Sequence, residues 1–219
     1  MAITQHTAVQ TYTCCCSTQD FSYTLASGGC DVALVIGFAV EATTVNSVTW
    51  DVCGTCQTMC VGINILKGGT SRAGIWFLKN PTRDGSSKTL RVGLQNAKNS
   101  IAFIKAYAGV DTKNNCNSES PNCGNPSISI TSVCGSMIIN MEGAEDNCDT
   151  THCSQTELVN TSNSIVGAGS QELATGNPTV MSMTHSDTGK KFVHVGIELT
   201  ELSDAVRVFR KPINASGMI

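Results

Sequence analysis

Residues 189–202 read GKKFVHVGIELTEL. Val193, Val195, Ile197 and Leu199 fall on one side of an extended chain, and Phe192, His194, Gly196 and Glu198 on the other. That period of two predicts a β-strand with one face in a core. Upstream segments repeat the pattern. Phe21, Tyr23 and Leu25 alternate, as do Leu90, Val92 and Leu94, and Val180–His185 supplies the penultimate strand. Val32–Val40, VALVIGFAV, is nearly continuous in apolar residues and predicts a central strand covered on both faces. Thr43–Trp50, Ile101–Tyr107, Ile128–Ile130 and Cys134–Met141 read as further strands, and Val61–Leu66 with Ala73–Lys79 as a hairpin across Lys67-Gly68-Gly69-Thr70.

Short strands between turn signals, with no amphipathic helix and no repeat of 20–50 residues, predict an all-β fold. We expect a two-sheet antiparallel β-sandwich, jelly-roll-like, with cysteine-rich loops. Residues 1–12 are expected to form an arm or edge strand, 13–203 the sandwich, and 204–219 a tail. Two polar stretches, Asp111–Pro126 and Glu142–Gln155, read as loops, and Leu158–Glu172 alternates weakly.

The 219 residues are 41% hydrophobic, enough for a sizeable core, but only 14% charged. Ordinary soluble domains carry about 25% charged residues. Thr, Ser, Asn and Gly take their place, which suits a surface partly covered by neighbours. A net charge of −3 offers nothing to nucleic acid or to an anionic membrane. The opening MAITQHTAVQTYT has no basic or apolar signal-peptide region, and no apolar run is long enough to span a bilayer.

Twelve cysteines are many for a reduced compartment. They are Cys14, Cys15, Cys16, Cys30, Cys53, Cys56, Cys60, Cys116, Cys123, Cys134, Cys148 and Cys153. Cys53-x2-Cys56 has the spacing of a zinc half-site that Cys60 or the 14–16 run would complete, and Cys148, His152 and Cys153 form a further candidate cluster. Disulfides fit the pattern better, with free thiols throughout as the alternative. A disulfide needs Cα atoms about 4.4–6.8 Å apart, so Cys14, Cys15 and Cys16 do not readily pair with one another and must reach distant partners. Bonds that cross between subunits are one expectation.

No histidine among His6, His152, His185 and His194 lies in a nucleophile motif, and His194 reads as a packed or surface residue. Glu142, Glu145, Asp146, Glu198 and Glu201 lack the spacing of a glycosidase carboxylate pair. We therefore expect no enzyme activity, no cofactor and no metal. Asp111, Asn114, Asn115 and Asn117 read as loop residues rather than calcium ligands. Trp50 and Trp76 fall in strand patterns and read as core.

The order of segments resembles a group of small bacterial and bacteriophage β-sandwich domains of jelly-roll, concanavalin-like type. The likeness runs over about residues 20–202. It rests on VNSVTW at 45–50, on Ile75-Trp76-Phe77-Leu78-Lys79-Asn80-Pro81, on Asp84-Gly85 leading to Leu94, on Ala108-Gly109-Val110-Asp111 and on the closing FVHVGIEL. The resemblance implies a structural virion protein that decorates a capsid or belongs to a neck, tail or fibre. It would be a homo-oligomer touching other virion proteins, with host-surface glycans as further partners. It would be assembled in the host cytoplasm and oxidised after release. Val206, Val208 and Phe209 would then be a docking tail. A carbohydrate-binding or adhesion module is the alternative, and a zinc-stabilised intracellular domain a third.

Overall fold

A computed structural model describes residues 2–67, 71–120, 124–145, 150–152, 155–162 and 164–202. The first half contains β1 (Thr4–Cys14), β2 (Thr18–Thr24), β3 (Ala33–Glu41), β4 (Val45–Trp50), β5 (Gln57–Thr58), β6 (Cys60–Lys67), β7 (Ser71–Lys79), β8 (Ser87–Leu94) and β9 (Ser100–Ala108). The second contains β10 (Val110–Glu119), β11 (Ser127–Ile130), β12 (Met137–Glu145), β13 (Thr150–His152), β14 (Thr156–Ser162), β15 (Ile165–Leu173), β16 (Thr179–His185) and β17 (Phe192–Glu201). All sheet pairings are antiparallel.

The expected antiparallel β-sandwich is present twice over. The first half forms an inner sheet, β1-β9-β3-β7-β6, and an outer sheet, β2-β8-β4-β5. The second forms an inner sheet, β10-β17-β12-β15-β14, and an outer sheet, β11-β16-β13. With the two-residue β5 set aside, the two halves have the same strand order. The first strand of each half lies beside the last, and the last beside the third. Each half is thus a jelly-roll-like sandwich, and the chain passes from one to the other at Gly109, whose φ of 78° favours a residue without a Cβ.

Three cores hold four layers. Leu34, Ile36, Phe38 and Val40 of β3 pack with Tyr23, Trp50, Leu90 and Val92 between the first inner and outer sheets. On the other face of β3, Val35 joins Ile75, Phe103, Ile139, Met141, Val195 and Ile197, which join the two inner sheets. Ile128, Ile130, Ile138 and Met181 pack between the second inner and outer sheets. Both faces of β3 are therefore covered, as its unbroken apolar sequence predicts. β17 is also buried on both faces along Phe192–Leu199, although its alternation predicts one covered face. Its second face meets the outer sheet β11-β16-β13.

Two expectations change. Asp111–Pro126 is not all loop, because β10 pairs along its length with β17 and forms the edge of a sheet. Backbone hydrogen bonds on one side suffice for an edge strand, and its polar side chains face water. Glu142–Gln155 is not all loop either: β12 runs to Glu145, and β13 lies within it. The edge strand expected at the N-terminal end is β1, Thr4–Cys14, paired with β9. The tail with Val206, Val208 and Phe209 lies outside the described residues.

Candidate functional site

Two groups of residues carry chemistry: the thiols on the surface and a polar belt inside the second sandwich. The nine described cysteines are all free thiols, and eight are exposed. Cys14, half-buried, ends β1, and Cys15 and Cys16 lie in the corner before β2. Gln19, wholly buried, holds that corner. Its Nε2 donates to the Cys16 carbonyl at 2.9 Å, while the Ser100 hydroxyl donates to its Oε1 at 2.5 Å. Cys14 and then Cys15 push the Cys16 thiol above its ordinary range by mutual repulsion and hydrogen bonding.

Cys30 lies between β2 and β3, Cys53 and Cys56 in the turn after β4, and Cys134 in the turn before β12. Cys60 begins edge strand β6, and Cys116 lies in edge strand β10. Cys123, Cys148 and Cys153 lie outside the described residues, as does the side chain of His152. Among the described residues no group of three His, Cys, Asp or Glu side chains could hold a metal ion. The half-site at Cys53 and Cys56 therefore finds no completing ligands in Cys60 or Cys14–Cys16. Asn114 and Asn115 both donate to Glu198 Oε2, at 3.1 and 2.8 Å, so they act as partners of a carboxylate rather than as a calcium loop.

The belt lies between β12, β17, β15 and β16. Asn140, Glu142, Ser170, His185 and His194 are all buried there. Their spacing along the chain hides them, but the strand registers bring them together. Asn140 is opposite Ser170, and Glu142 is opposite His194. Ser170 donates both its backbone N–H, at 2.6 Å, and its hydroxyl, at 2.9 Å, to Asn140 Oδ1. Asn140 Nδ2 sits 3.1 Å from His194 Nε2. His185 reaches down from the outer sheet, its Nε2 2.5 Å from Glu142 Oε1. Glu119 on β10 lies 3.8 Å from His194 Nδ1.

This belt divides the second core. On one side lie Ile128, Ile130, Ile138, Ala174 and Met181. On the other, among the described residues, lie Ala144, Val166 and Phe192, with the His185 ring edge-on to Phe192 at 5.1 Å. Among the described residues, Glu142 Oε2, His185 Nδ1 and His194 Nδ1 find no hydrogen-bond partner. Nδ1 of His194 is turned towards Glu119. The alternation of FVHVGIEL marks His194 and Glu198 as sharing a face, but it gives no sign that a second sheet covers that face.

Trp50 and Trp76 are core residues, 0% and 3% exposed. The Trp50 indole donates to the Thr82 carbonyl at 2.9 Å. No family model, no curated protein and no solved structure matches the chain.

Proposed function

We propose that this protein is a structural component of a virus particle, of the kind a bacteriophage places on its capsid, neck or tail. Copies would be held against one another and against other virion proteins by contacts that exposed thiols make covalent. The observation that carries the reading is where the free thiols lie. Those of Cys15, Cys16, Cys30, Cys116 and Cys134 are spread over separate turns and an edge strand of a rigid all-β body. Thiols so placed meet partners on neighbouring copies. Oxidation after release from the cell would turn those contacts into bonds that resist dissociation kinetically. Sheet edges β6 and β10 offer further strand edges for contact with neighbouring copies.

Native particles or purified protein should be alkylated and run on a denaturing gel with and without reductant. The expected result is a ladder at multiples of 23.0 kDa that collapses to monomer on reduction. Monomer in both lanes from intact particles would remove the covalent contact from the proposal. Absence of the chain from purified particles would remove the virion setting.

A further inference from the structure

We propose that Cys53 and Cys56 form a redox-active dithiol, which closes a reversible disulfide within its own turn with a small-molecule disulfide as electron acceptor. This goes beyond the assembly reading and does not depend on it, because the bond lies within one copy.

Hydrogen bonds fix the turn Asp51-Val52-Cys53-Gly54-Thr55-Cys56 that carries both thiols. The Asp51 carbonyl accepts from Gly54 N–H at 2.9 Å and from Cys56 N–H at 3.0 Å, which closes the turn. The Asp51 carboxylate accepts from the Thr55 N–H, the Thr55 hydroxyl and the Thr82 hydroxyl, at 3.2, 3.1 and 3.1 Å. These bonds to backbone and hydroxyls hold its carboxyl below the ordinary range. A Cβ at Gly54 would lie 2.6 Å from the Asp51 carboxylate oxygens, so any larger residue there would have to displace that carboxylate from its hydrogen bonds. Asp51 and Cys56 adopt φ of 53° and 50°, in the left-handed region. Such backbone strain persists where the surrounding structure holds it.

The Cys56 thiol donates to the Val52 carbonyl at 3.0 Å. That carbonyl belongs to the peptide bond whose nitrogen is that of Cys53, so the Cys56 sulfur already lies against the Cys53 backbone. Both thiols are exposed. Both also lie within electrostatic reach of the Arg91 guanidinium, which Asp20 fixes through two bonds of 2.6 Å.

The exchange balances without any other reactant. The Cys53 thiolate attacks one sulfur of the acceptor, forms a mixed disulfide and releases one thiolate. Cys56, deprotonated, attacks the Cys53 sulfur, closes the Cys53–Cys56 bond and releases the second. The dithiol loses two electrons and two protons, and the acceptor gains them as two thiols.

The test equilibrates reduced full-length protein in a series of reduced and oxidised glutathione ratios, then quenches, alkylates and maps the bonds by mass spectrometry. Cleavage after Trp50 isolates the fragment. The expected result is a bond joining Cys53 to Cys56 at a more reducing ratio than any bond to Cys15, Cys30 or Cys134. The proposal falls if both thiols remain alkylatable where Cys15 is already oxidised, or if either is bonded to another cysteine instead. Because the bond appears in monomer, its absence and the absence of interchain ladders are separate results.

Discussion

Asn140 fixes which ring nitrogen of His194 carries its proton. Ser170 uses both of its donors on Asn140 Oδ1, so the amide nitrogen must be what faces His194 Nε2. His194 Nε2 is then an acceptor, and its proton sits on Nδ1, turned towards Glu119. His185 and Glu142 form the other half of the belt, both side chains with no exposure. Removing one of them leaves the other buried and alone. His185→Ala should therefore cost about 3–5 kcal/mol in urea denaturation. Replacing both, in Glu142→Leu with His185→Leu, should recover most of that loss, because a matched apolar pair leaves nothing unpaired. Losses that simply add would show that the two do not act as a pair.

Phe103 on β9 links elements that belong to different sandwiches. A Cβ built on Gly37 of neighbouring β3 would lie 2.1 Å from its ring, and one built on Gly169 of β15, in the other inner sheet, 2.8 Å away. The ring thus fills space that two glycines leave open, and the inner sheets approach one another there. Gly169→Ala should cost about 1–3 kcal/mol through overpacking, read as a lower urea midpoint. An unchanged midpoint would mean that the ring moves aside at no cost. Most strands were legible in the sequence because burial on one or both faces wrote itself into the apolar pattern, as in β3, β7 and β9. β10 was not legible, since DTKNNCNSE at 111–119 is held by backbone pairing with β17 and carries no apolar period. The belt was not legible either. Its residues lie on three strands and a fourth from another sheet, and only register brings them together. The thiols, by contrast, could be placed near turns directly from their neighbours in sequence, apart from those at the edge strands.

At the scale of the whole molecule, the two sandwiches are joined by a continuous apolar core between their inner sheets, and a buried lysine sits on its face. Lys105 lies opposite Val35 on the face of β9 that meets the second half, 3% exposed, its amine 5.6 Å from the Tyr107 ring. Burial holds its amine below the ordinary lysine range. A lowered folded-state value means that the charged form is penalised below it, and that wild-type stability rises as pH climbs towards the ordinary lysine range. Lys105→Met should accordingly raise the urea midpoint at pH 7, with a gap that narrows as pH rises. A gap of constant size would place the gain in packing alone. The duplicated strand order also carries a hazard of mistaken identity. Two outer sheets of like topology each seek an inner sheet, and in a crowd of folding copies each could settle on the wrong one. The belt works as an address. Only the outer sheet with His185 can answer Glu142, and the apolar face presented by Tyr23, Leu90 and Val92 would strand that carboxylate in a dry interior. The polar groups that weaken the second core as glue thus let each half recognise its own lid.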